Sequence, residues 1–444
     1  MIKLTGKIVL LAALVAGCAA APERERLQRW EWDRVDLFAE EADPDPGSEA
    51  ILDDYVGYAL RNNPGLRAGF ERWKGALERV APARALADPR FTHGQFLREV
   101  ETRVGPQEMR FGLAQIFPWK GKLGLKGKIA LQAAEEEYQR YVAAREALIY
   151  RVRTAYYELQ YLERAVAVTE ENARLLAYLE EVARAQYRSG ATAQGAVIKT
   201  QVELGRLEER LLGLRDMGRP LRARLNAALG RPAMAEVAVN GALMDEVPVP
   251  DGKELAVRLR QMSPELKGLD AAIAREELGI ELAKKKGLPD LMVGVDYVVT
   301  GRAENPVADS GKDPVMVAAS INLPLWRDKY RAGEREAKAR QRTAVRQRQE
   351  RENRLLAELE LALFGMREGE RRIELYRDSL IPKAEQALSV AQQAFSAGKE
   401  GFLGVIDAQR TLLEFQLARE RARADLVGKV AEVERLIGGS LTAE

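Results

Sequence analysis

The sequence predicts an α+β membrane protein, internally duplicated, in which pairs of strands alternate with long helical hairpins. Three observations carry this expectation. A helix–break–helix phrase is written twice, as YRSGATAQGAVIKTQ at residues 187–201 and FSAGKEGFLGVIDAQ at residues 395–409. In both, Val-Ile comes seven residues after the Gly, and Gln three residues after the Ile. Residues Lys128 to Ser189 contain no Gly and no Pro, the mark of an uninterrupted helix. Finally, stretches of about ten residues alternate apolar with small or polar side chains, the period of a half-buried strand.

Composition narrows the classes. Lys plus Arg number 69 and Asp plus Glu 67, a net charge of +2, which gives no electrostatic footprint for nucleic acid. One histidine and one cysteine cannot build a His/Cys metal cluster, nor a Cys/His or Ser/His catalytic arrangement with a His to spare. No catalytic residue, resident metal or cofactor is expected. A charged fraction of 31% with mean hydropathy −0.30 fits neither a helical membrane protein nor a disordered chain.

At the N-terminus, Lys3 and Lys7 precede the apolar run Ile8–Ala16 and then Gly17-Cys18. This is the build of a signal peptide over residues 1–17, and the run is too short to span a bilayer. Val15-Ala16-Gly17-Cys18 resembles the bacterial lipoprotein signal, which makes Cys18 the expected lipidated first residue, carrying palmitate among its acyl chains. Ala19 follows in place of an inner-membrane retention Asp, so anchoring on the outer membrane is expected. Residues 18–50 form a polar, lipidated N-terminal arm.

Two repeats follow, at 51–250 and 251–438, with a tail at 439–444. Each opens on a helix with a matching turn, Asn63-Pro64-Gly65-Leu66 or Ser263-Pro264-Glu265-Leu266. Each then meets a proline–acid motif, Ala87-Asp88-Pro89 or Leu288-Pro289-Asp290, and a strand pair. The strands are expected near 90–100 and 108–117, then 290–300 and 314–323. Phe91–Val100 alternates poorly and is assigned by its place in the repeat. The second strands end at Phe117-Pro118-Trp119 and Pro324-Leu325-Trp326.

The helix from Lys128 is a rod of about 93 Å. Leu159, Leu162, Val166, Ala173, Leu176, Leu179 and Ala183 mark an interhelical seam along it. In the second repeat, Gly365, Gly369 and Pro382 are expected to interrupt the helix. Gly190 and Gly398 close the first arm of each hairpin. The returning arms run Gln194–Ala228 and Phe402–Leu436. Ten-residue strands suit a membrane, but open strand edges are not tolerated in lipid. Copies must therefore share a barrel, and three copies of four strands give twelve.

The order of these parts, with Leu86-Ala-Asp-Pro-Arg, Gln115-Ile-Phe-Pro-Trp and Ile381-Pro-Lys-Ala-Glu-Gln-Ala-Leu, resembles the TolC family of outer-membrane efflux proteins over residues 50–438. The stretches look like its drug- and heavy-metal-efflux lipoprotein branch. The resemblance implies a homotrimer with a shared twelve-stranded β-barrel and a long periplasmic α-helical barrel. It implies a passive exit duct in a tripartite efflux system rather than an enzyme. The expected partners are a periplasmic adaptor (membrane fusion protein), an inner-membrane RND-type pump and outer-membrane lipid. Gly190, Gly398, Lys399 and Arg188 at the hairpin tips would face the adaptor. The family's acid-bearing segment maps to Gly404-Val405-Ile406-Asp407. Asp407 matches one gate acid and Gly404 stands where a second would be, while Ala196 replaces the Asp of many relatives. Three Asp407 carboxylates around an axis would repel one another and attract cations. Otherwise Asp407 is a solvated acid, or pairs with Lys399 or Arg410.

Other features have plainer readings. The run Arg327–Arg354 is a solvated helix face of mixed charge. Trp119 and Trp326 fit an interfacial belt or a strand–helix junction. Met109, Met292 and Met316 are packing residues, and His93 is an ordinary strand or loop residue. Two other readings are a type I protein-secretion duct and a non-spanning periplasmic coiled-coil scaffold or adaptor.

Overall fold

A computed structural model describes residues 45–441, apart from 249, 250, 305, 306, 398 and 400. Cys18, the signal peptide and Gly398 lie outside the described residues. The first half contains α1 (Leu52–Asn62), α2 (Pro64–Glu78), α3 (Val80–Arg84), β1 (Arg90–Val100), β2 (Gln107–Phe117), α4 (Lys122–Arg188) and α5 (Gln194–Leu229). The second contains α6 (Gly252–Met262), α7 (Pro264–Lys286), β3 (Leu291–Thr300), β4 (Val315–Ile321), α8 (Arg327–Leu375), α9 (Ile381–Ser396) and α10 (Phe402–Ile437).

Each half starts with an 11-residue helix that stops at an X-Pro turn. The residue before proline is pushed out of the helical region, and Pro then opens the next helix, where its missing N–H is no loss. Asn63 caps α2 by accepting from Leu66 N at 2.9 Å. The long arms end against these turns. Gly230, at φ +78°, has Pro64 Cδ 2.9 Å from where a Cβ would stand, and Gly438, at φ +73°, has Pro264 Cδ at 3.0 Å. The left-handed C-terminus of each returning arm thus seats on the X-Pro turn of its own half. Two matching cores form there. Tyr55, Tyr58, Tyr156, Leu225 and Leu229 fill the first; Leu255, Leu259, Leu363, Leu436 and Ile437 fill the second.

The helix α4 has 67 residues, a rod of about 100 Å. It starts six residues before Lys128, through Gly124 and Gly127. The expected breaks at Gly365 and Gly369 do not occur, since both lie inside continuous α8. They let α10 come close: a Cβ would stand 3.0 Å from Lys429 Cγ at Gly365 and 3.2 Å from Leu426 Cβ at Gly369. Pro382 does mark a change of helix. A π-helical turn, Tyr376–Leu380, separates α8 from α9, absorbing the bond that Pro cannot donate. No described helix is long and apolar enough to cross a membrane.

The strands form one antiparallel sheet in the order β1-β2-β3-β4. β1 is a strand despite its weak alternation, and its register slips between Gln95 and Val100. Around the sheet's foot the helices pack in the same order, α2 on α4, α4 on α7 and α7 on α8. At the far end α4, α5, α9 and α10 share a third core of Leu176, Leu179, Val197, Leu388, Phe395, Phe402, Val405 and Ile406. Burying each such aliphatic or aromatic side chain contributes about 1.5–3 kcal/mol.

Candidate conduction path and hairpin tips

The register sorts the sheet into two faces. Phe91, Leu113, Val295 and Val317 share one cross-strand row, and His93, Phe111, Tyr297 and Val315 the next. The opposite face holds the rows Arg90, Ala114, Gly294, Ala318 and Thr92, Gly112, Asp296, Met316. One face is apolar and wide enough to meet lipid. The other is built mostly of small residues with a few polar ones, which suits a pore wall. His93 lies on the apolar face with its ring 5.0 Å from Phe111.

The small face carries one ion pair. Arg110 on β2 donates from Nε to Asp296 Oδ1 at 3.0 Å, and its Nη2 stands 2.9 Å from Oδ2. Two parallel bonds fix the fork on the carboxylate. Gly112 makes the room, because a Cβ there would stand 2.6 Å from Asp296 Oδ1. Beyond the strands, the two connections are tied together. Arg103 donates to Asp309 at 2.6 and 3.1 Å, and Gly311 N donates to Val104 O at 2.7 Å. The Arg103 guanidinium holds the Asp309 carboxyl below the usual carboxylate range. At the other end of the strands Asp290 Oδ1 accepts from Lys122 Nζ and Trp119 N, each at 2.8 Å.

The twice-written phrase folds the same way twice. Ala191 N donates to Gln186 O at 2.8 Å, and Lys399 N donates to Ala394 O at 2.9 Å. Each is the six-to-one bond of a helix-closing turn, made by the residue after the glycine. Gly190 has φ +74°; Arg188 and Lys399 are exposed beside the two turns. The duplicated glutamines also match. Gln201 Nε2 donates to Glu180 at 2.9 Å, and Gln409 Nε2 donates to Asn172 Oδ1 at 3.1 Å, so both arms are pinned to α4. Asn172 passes a further bond to Gln416 at 2.9 Å. The Arg184 guanidinium beside Glu180 holds its carboxyl below the usual range.

Asp407 and Gly404 lie on an exposed face of α10. Asp407 has 61% of its side chain exposed, and Arg410 Nη1 is 3.9 Å away. Arg410 is committed elsewhere, donating from Nη2 to Glu203 on α5 at 2.7 Å. Ala196 packs against the core below the tip. Sequence reasoning missed the Arg110–Asp296 and Arg410–Glu203 pairs. Their signal was slight: a charged residue on the small face of a strand, and a charge beside Asp407. Among the described residues no three His, Cys, Asp or Glu gather as a metal site.

A four-stranded open sheet with one apolar face, standing on two long helical hairpins, is the fold of TolC-like outer-membrane channels. Residues 255–439 match the model of the outer membrane efflux protein family. It is 23% identical over 287 residues to the cobalt-zinc-cadmium resistance protein CzcC of Cupriavidus metallidurans, covering 62% of this chain and 65% of that one. It is 21% identical over 285 residues to the pyoverdine export outer membrane protein OpmQ of Pseudomonas putida, covering 64% and 60%. The chain thus spans under two thirds of these curated relatives. The solved structure of CusC, described with its transmembrane channel formation, superposes with a TM-score of 0.76 at 15% identity, covering 91% of this chain and 98% of that one. The TolC-like fold expected from the sequence is the fold observed.

Proposed function

We propose that three copies close their sheets into one twelve-stranded barrel and their helices into a periplasmic tube. The assembly is the exit duct of a tripartite efflux system. It conducts small molecules or metal ions passively, from an adaptor and an inner-membrane RND-type pump to the exterior. The observation that carries this is the open sheet. β1 and β4 each leave one edge unpaired among the described residues, and an unpaired edge cannot face lipid. The names of CzcC and OpmQ support metal or small-molecule cargo.

In this reading the chain divides as signal peptide 1–17, lipidated arm 18–50, repeats 51–250 and 251–438, and tail 439–444. Cys18 anchors the arm in the outer membrane. The tips around Gly190 and Gly398, with Arg188 and Lys399, meet the adaptor. Asp407 supplies the charge of the tube's mouth, and Gly404 leaves that mouth with one acid per copy. Native mass spectrometry of the purified protein tests the assembly. A mass of three acylated chains is expected; a monomer, or an unmodified Cys18, would remove the corresponding part.

A further inference from the structure

The helices at the sheet's foot end in two uncovered faces. α2 leads through the short α3 into β1 and α8 follows β4, so the open edges of the helix layer lie beneath the open edges of the sheet. Closing β4 of one copy on β1 of the next brings α8 of the first against α2 of the second.

The exposed face of α2, opposite its buried Leu66, Trp73 and Ala76, carries Glu71 and Glu78, with Ala68 and Gly75 beside them as small residues. The two acids are one heptad apart. The exposed face of α8, opposite its buried Ala337 and Ala344, carries Arg335, Arg342 and Arg346, with Ala339 small among them. Among the described residues Glu71, Glu78, Arg335 and Arg342 have no ion-pair or side-chain hydrogen-bond partner, and Arg346 reaches Gln349 alone, at 2.8 Å.

The heights match as well. Trp73 stands against Tyr138 on α4 with rings 5.4 Å apart. The next residue, Gln139, lies 3.4 Å from a Cβ placed on Gly268 of α7. Asp270, two residues on, takes Arg348 of α8 at 2.7 Å. α2 and α8 run antiparallel, so counting residue for residue sets Trp73 level with about residue 349 of α8 and Glu78 level with about residue 344, between Arg342 and Arg346.

We infer that Glu78 of α2 pairs with Arg342 and Arg346 of α8 in a second copy of this chain, with Glu71 adding to the acidic face that meets them along this seam. Small residues between the charges let the helices approach, and the charges fix their register. The inference rests on the trimer reading and adds which faces meet. The dense charge of Arg327–Arg354 is then an interface on one side of α8 and solvated on the other.

The test compares trimer dissociation temperature in detergent for wild type and three full-length variants. Glu71→Arg with Glu78→Arg, and Arg342→Glu with Arg346→Glu, each place like charges in the seam. Each is expected to lower the dissociation temperature, more at low salt than at high. The chain carrying all four substitutions restores opposite charges and is expected to recover most of the loss. Recovery shows that the two faces meet and excludes simple misfolding of either variant. Unchanged dissociation in both two-site variants of a trimeric protein, or no recovery in the four-site chain, overturns the seam and leaves the duct reading standing. A monomeric wild type overturns the reading beneath it.

Discussion

Arg410 on α10 donates to Glu203 on α5 at 2.7 Å, while its other nitrogen stays 3.9 Å from Asp407. The two arms that return from the hairpin tips are therefore tied to each other, and Asp407 keeps its charge largely uncompensated. Glu203→Gln removes the stronger acceptor and frees Arg410 for Asp407. Cation block of the reconstituted channel is expected to weaken in Glu203→Gln. In Asp407→Ala it is expected to vanish while conductance rises. Unaltered block and conductance in both variants would remove Asp407 from the mouth.

Arg110–Asp296 is the one ion pair on the small face of the sheet among the described residues. In the proposed trimer, breaking it leaves three like charges around the barrel. Asp296→Asn leaves guanidinium groups and is expected to shift reversal potentials in a salt gradient toward anion preference. Arg110→Gln is expected to shift them toward cation preference. A shift of the same sign in both variants would place the pair outside the ion path.

Gly230 and Gly438 combine positive φ with close contact to the prolines of their own halves. Alanine at either position costs about 1–2 kcal/mol for the left-handed backbone alone, and the contact adds to that. Both variants are expected to unfold at lower temperature than wild type. Equal losses would reflect the matched geometry, and no loss in either would contradict it.

Asp290 joins the start of β3 to the β2–α4 connection. Burial pushes its carboxyl up, but the Lys122 ammonium and the Trp119 N–H outweigh this and hold it below the usual range. A depressed carboxyl contributes stability that is present above the unfolded-state value and lost as pH falls through the lower folded one. Thermal stability is therefore expected to fall as pH drops below about 4. Asp290→Asn should cost about 2 kcal/mol at neutral pH and flatten that acid limb. An unchanged limb in the variant would assign the acid loss to other carboxylates.

Much of the architecture was written locally. The repeated phrase encodes two helix-closing turns because the glycine, the aromatic residue before it and the glutamine after it all act within or beside one hairpin. Period-two alternation located three strands, and the repeat located β1, whose register slip and exposed Leu97 blur its pattern. Gly365 and Gly369 misled because a glycine weakens a helix locally yet admits a neighbour closely, and the neighbour lies elsewhere in sequence. Pairings such as Arg110–Asp296, 186 residues apart, and Arg410–Glu203, 207 apart, leave no periodic mark. Tyr55 and Tyr156 likewise pin the connection after α5 through Ala238 and Asn240, which its irregular sequence does not announce.

In the proposed assembly this chain makes a pore with its own kind. Single-channel recording from the purified, folded protein in planar bilayers addresses it most directly. Discrete conductance steps carried by a trimeric species are expected. Folded protein that inserts into the bilayer and passes no current would contradict it.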